Sequence, residues 1–138
     1  MATYNEAKDK IAKGELSLGT DSLKIALFTS SYIPNIDTDL NFSDISANEI
    51  SGTGYTAGGN AIANVLVQKD LVNDRVDLPA DNSVFTAATL TFKIAVIYKD
   101  TGNPATSTLV SFNDFGTDQT IVAGDLTLNL STGFARFS

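Results

Sequence analysis

Residues 90–98 read Leu-Thr-Phe-Lys-Ile-Ala-Val-Ile-Tyr. Leu90, Phe92, Ile94, Val96 and Tyr98 share one parity, and Thr91, Lys93, Ala95 and Ile97 share the other. Side chains alternate across a strand, so this is a long strand with one strongly apolar face. Lys99-Asp100-Thr101-Gly102-Asn103-Pro104 follows, a cluster of turn formers that throws the chain back. The next apolar run, 108–112, is expected to pair antiparallel with the first at the centre of an all-β fold.

Upstream, Gly19-Thr20-Asp21 makes a turn and 22–29 is the first strong strand. Its Leu23, Ile25 and Leu27 oppose Lys24, Ala26 and Phe28; since Phe28 is apolar, part of the second face is expected to be covered. Shorter strands are expected at 61–68, 69–77 (ended by Pro79), 84–85, 120–123, 126–130 and 134–137. Residues 2–13 are the one good helix candidate. Tyr4, Ala7 and Ile11 lie at helical spacing, Thr3 or Asn5 is placed to cap the start, and Gly14 stops it after Lys8, Lys10 and Lys13. Residues 30–60 form a long excursion with weak periodicity. Tyr32, Ile33, Ile36, Leu40, Phe42, Ile45 and Ile50 are its apolar anchors, and 42–47 suits one short helical turn. Loops this long are usually functional or carry small elements of their own. The expectation is a single domain over 1–138. It is an antiparallel β-sandwich, of jelly-roll or immunoglobulin-like kind, with one N-terminal helix at 1–14 and a long ordered loop.

Composition narrows the chemistry. Hydrophobic content is 43% and charged content 18%, a globular balance that can bury a core without staples. No apolar run is long enough to span a bilayer as a helix, and the N-terminus lacks the basic-then-apolar pattern of a signal peptide. The expectation is therefore a soluble protein without a membrane partner. Nine basic residues face sixteen acidic ones, net −7; scattered Lys and Arg in an acidic chain argue against nucleic acid. Cysteine and histidine are both absent. That removes disulfides, thiolate nucleophiles, zinc-cysteine sites and every Ser-His or Cys-His arrangement.

Three features of the sequence bear on chemistry. Asp37-x-Asp39-x-Asn41 has the spacing of the first half of a calcium loop, but Phe42 and Asn48 stand where glycine and the bidentate glutamate belong, with Glu49 one place late. Gly52-Thr53-Gly54-Tyr55-Thr56-Ala57 loosely matches a dinucleotide fingerprint, yet a strand and not a helix is expected after it. Its glycines better suit positive φ or close backbone approach. No pair of carboxylates is marked out for glycoside chemistry. The residues alone therefore point to a non-enzymatic binding or structural module with no cofactor.

Several stretches taken together resemble a known family. They are Lys13-Gly14-Glu15, Asp21-Ser22-Leu23-Lys24-Ile25-Ala26-Leu27-Phe28 and Tyr32-Ile33-Pro34-Asn35. Further along come Glu49-Ile50-Ser51-Gly52-Thr53-Gly54-Tyr55-Thr56-Ala57-Gly58-Gly59, Ala95-Val96-Ile97-Tyr98-Lys99-Asp100-Thr101-Gly102, Leu109-Val110-Ser111-Phe112, Asp114-Phe115-Gly116 and Gly133-Phe134. In this order, over nearly the whole length, the chain resembles small virion structural proteins of tailed bacteriophages. The resemblance implies a virion component without catalytic residues. The first expectation is a capsid decoration (cement) protein that binds the major capsid protein lattice as a homo-oligomer; a tail, neck or head-fibre-base component is the alternative. A carbohydrate-binding β-sandwich module is a more distant one. For contacts with other virion proteins the expected residues are Tyr4 and Ile11 on the helix and Tyr32, Phe42 and Tyr55 in the excursion, because buried aromatics dominate interface energetics.

Overall fold

The structure is a computed structural model and describes residues 1–137. A short strand β1 (Ala2–Thr3) leads into helix α1 (Asn5–Ala12); β2 (Leu23–Phe28) follows. The excursion holds α2 (Phe42–Ile45) with a 3-10 turn at Ser46–Asn48, and then come β3 (Asn60–Ala61), β4 (Gln68–Asp70) and β5 (Arg75–Asp77). Two long strands, β6 (Ser83–Lys99) and β7 (Leu109–Leu128), precede β8 (Arg136–Phe137). A five-stranded antiparallel sheet has the order β1-β7-β6-β2-β3, and a three-stranded one the order β4-β5-β8. The fold is thus all-β and sandwich-like with an N-terminal helix, and its strand order is neither the double Greek key of a jelly roll nor the immunoglobulin order.

The expected central pair is there: β6 is the middle strand and β7 runs antiparallel beside it. Both are far longer than expected. Residues 84–85 belong to β6, and 120–123 and 126–128 belong to β7, because irregularities bend the ribbon without ending it. Ala87 and Ala123 adopt left-handed φ of 48° and 47°, and lie beside the paired Ala88 and Gly124. Such bulges sharpen local twist, and the ribbon curls until Asn113 and Thr127 line the same concavity.

A second irregularity overturns the single parity of 90–98. Between Phe92 and Ile94 the partner on β7 jumps from Gln119 to Asp114. Leu90 and Phe92 therefore face the same core as Ala95 and Ile97, while Ile94, Val96 and Tyr98 face the other side. Every residue from Ile94 to Tyr98 is buried, since both faces of this half of β6 are covered. The larger core lies between the curled ribbon and the three-stranded sheet and includes Ile25, Leu27, Phe85, Phe92, Val110 and Phe134. The smaller core gathers Tyr4, Ala26, Phe28, Tyr32, Phe42, Ile45, Ile94, Val96, Tyr98 and Leu109 under the excursion. Burying each large side chain contributes roughly 1.5–3 kcal/mol.

Other boundaries also shift. The helix starts at Asn5 with Tyr4 as its N-cap residue and no side-chain cap; Thr3 is in β1, and Asn5 instead donates from Nδ2 to Asp37. Of the 61–68 stretch only Ala61, with Asn60 before it, pairs with β2. The 69–77 stretch is a hairpin, β4 and β5, turned at Leu71 to Asp74.

Candidate interaction surfaces

The excursion is bound to the sheet by a chain of hydroxyls. Tyr4 Oη and Tyr32 Oη lie 2.7 Å apart in the smaller core, and Tyr32 donates to Asp39 Oδ2 at 2.8 Å. Around them Phe28 packs against Tyr32 and Phe42, and Phe42 against Tyr98 at 4.4 Å between centroids. A second clasp closes the other end. Tyr55 donates to Glu49 Oε1 at 2.9 Å and accepts the Leu27 N–H at 3.0 Å, with its ring stacked on Phe85. Glu49 also accepts the Gly58 N–H, and Tyr98 donates to the Gly58 carbonyl at 2.6 Å. Burial raises the pKa of Tyr4, Tyr32, Tyr55 and Tyr98 well above the ordinary tyrosine value.

The glycines of the dinucleotide-like stretch serve close approach. A Cβ on Gly52 would sit 2.6 Å from the Thr89 carbonyl oxygen, and one on Gly54, whose φ is +79°, 2.8 Å from Ala88 Cα. The segment bridges to β6 through Thr53 and Thr89, and turns, not a helix, follow it. No helix N-terminus is present there to receive a pyrophosphate.

The residues expected at a protein interface are placed as follows. Tyr4, Tyr32 and Phe42 are buried in the chain's own core, and Tyr55 is half-buried with its hydroxyl engaged. They are therefore not free aromatic anchors for a partner: the apolar interior beneath the excursion takes up the rings of Tyr4, Tyr32 and Phe42, and Tyr55 stacks on Phe85 against the larger core. Ile11 is half-buried at the wall of an apolar groove. Ile33, expected as an anchor of the excursion, is instead 82% exposed.

The calcium-like spacing is likewise structural. Asp37 accepts from Asn5, Asp39 from Tyr32 and the Asn35 N–H, and Asn41 forms a capping box with Asp44 at the start of α2. The three side chains are engaged separately. Among the described residues no cluster of three or more acidic side chains is arranged to hold a metal.

The most exposed apolar side chains lie elsewhere. At the β4–β5 turn Leu71 is 83% and Val72 91% exposed. Val76 and Phe137 are cross-strand neighbours that join this tip to a groove walled by Ile11, Leu16, Leu18, Val67 and Leu78. Val67, 61% exposed, stands on its rim. Exposed aliphatics grouped in this way mark contact surfaces. Leu71 and Val72 fall inside the strand expected at 69–77. The signal that would have exposed them is Asn73-Asp74, turn formers directly after the pair.

A different surface lines the inside of the curled ribbon, a concavity of about 440 Å³ with Asn113, Phe115, Thr127, Asn129, Thr132 and Arg136 in its wall. Compared with protein-family models, curated proteins and solved structures, the chain matches none.

Proposed function

We propose that this protein is a non-enzymatic structural component of a tailed-phage virion, a capsid decoration protein that docks on the major capsid protein lattice. The observation that carries the reading is the Leu71–Val72 tip with its adjoining apolar groove. In an acidic, rigidly clasped domain, this cluster of exposed aliphatics favours a protein partner over solvent. The clasped excursion fits the same role, since a part that cements a lattice gains from a surface ordered before docking. The resemblance to small virion proteins supplies the identity of the partner, and homo-oligomerisation on the head belongs to the same reading.

The test is immunogold electron microscopy of phage particles carrying this protein, followed by rebinding of purified protein to particles stripped of it. Even labelling of the head is expected, together with loss of rebinding by the double variant Leu71→Asp, Val72→Asp at unchanged melting temperature. Label confined to the neck or tail would move the protein to the alternative position. Particles without label would overturn the virion reading.

A further inference from the structure

We infer that the concavity inside the curled β6–β7 ribbon is a saccharide-binding site for a neutral oligosaccharide. Its wall differs from the rest of the surface. The chain carries sixteen carboxylate residues, yet none lines this space; its polar groups are amides, hydroxyls and one guanidinium, set among apolar side chains such as Met1, Ile25, Leu128 and Leu130. Asn113, Thr127 and Thr132 make no side-chain hydrogen bond among the described residues, and Asn129 uses only Oδ1, which accepts from Ser131. The Arg136 guanidinium, which lines the space, is held by Asp77 through Nε at 2.9 Å, and its terminal N–H groups make no hydrogen bond among the described residues.

These are the groups that sugar hydroxyls match. An amide donates and accepts in one plane, and a threonine hydroxyl rotates to do either. Phe115 adds the apolar element. It is 37% exposed, and its ring meets Phe92 edge-to-face at 5.3 Å and 87°, so the core holds it in place beside the polar wall. The C–H face of a pyranose can lie on such a ring while its hydroxyls reach the amides. A volume of about 440 Å³ is within the range of small-molecule sites.

The inference does not rest on the virion reading. Arg136 and Phe137 are successive residues of β8, so their side chains point to opposite sides of it. One lines the sugar concavity and the other the apolar groove. A partner seated on the groove leaves the concavity open.

The experiment is an array of oligosaccharides built from glucose, galactose, rhamnose and N-acetylglucosamine, probed with the full chain. Calorimetric titration of the strongest ligand follows. Binding is expected, and Asn113→Ala and Thr132→Val are each expected to weaken it by about tenfold, the scale of one lost polar contact. Phe115→Ala should weaken it further; because that ring also touches Phe92, the two polar variants carry the test if it fails to fold. Absence of binding at millimolar sugar would overturn the inference. Binding that none of the three substitutions alters, or capture of extended peptides in place of sugars, would do the same.

Discussion

Tyr4 Oη lies 2.7 Å from Tyr32 Oη, and this contact ties the residue that opens α1 to the excursion between β2 and β3. Tyr32 in turn donates to Asp39, so the excursion is latched where its side chains enter the core.

Tyr32→Phe removes the middle member of that chain and leaves the Tyr4 hydroxyl buried without its partner. An unsatisfied buried polar group costs about 1–3 kcal/mol, and a loss of that size is expected in denaturant unfolding. Tyr4→Phe in the same chain should recover part of it, because removing both partners leaves nothing unpaired. A single variant as stable as the parent would show that the latch contributes nothing.

Gly59 makes the closest approach of the excursion to β2. Its φ is +79°, and a Cβ there would fall 1.9 Å from the Ile25 carbonyl oxygen, whereas at Gly14, with φ +76°, nothing lies within 4 Å. Gly14→Ala is expected to cost about 1–2 kcal/mol from its left-handed backbone alone. Gly59→Ala should cost well beyond that, at least about 3 kcal/mol, because β2 would have to move. Equal melting temperatures for the two variants would contradict the close approach.

All four tyrosines of the chain are held neutral by burial, with pKa values raised above the ordinary 10.0. The unfolded chain ionises near that ordinary value, so the stability linked to these phenols is fully present below about pH 10. It is lost as pH rises toward the folded values. Ultraviolet titration should show no phenolate in the native protein near pH 10, and then a rise together with unfolding. The denatured chain should titrate normally. A native tyrosine ionising near pH 10 would refute the burial of at least one hydroxyl.

The scaffold was legible in the sequence wherever one period ruled a segment. Alternation in Leu23–Phe28 and the turn formers after Tyr98 gave the central strands, their pairing and the covered second face. What escaped was the change of period inside a strand. Nothing in Lys93 itself announces that β7 inserts residues opposite it, and the inserted Phe115-Gly116-Thr117-Asp118 reads as an ordinary loop. The aromatic anchors were misplaced for a related reason. Tyr4, Tyr32 and Phe42 look the same in sequence whether they meet a partner or their own core, and only the position of the excursion over Phe28 decides it. The concavity was invisible because its wall joins Asn113 to Thr127 through a curl set by two left-handed alanines.

The sheet order has a consequence for how the chain comes to be folded. β2 pairs with β3 at Lys24 and Ile25 alone and finds a partner along its whole length in Ile94 to Lys99, and β1 pairs with Ser111 and Phe112. During synthesis the apolar Leu-Lys-Ile-Ala-Leu-Phe segment of β2 therefore emerges well before its full-length neighbour, with only the two residues of β3 to pair with in between. Long-range pairing of this kind slows folding and leaves strand edges exposed in the interval. The nascent protein should be a slow folder that depends on holding factors, and mutations in β2 should lower its yield before they lower the stability of what folds.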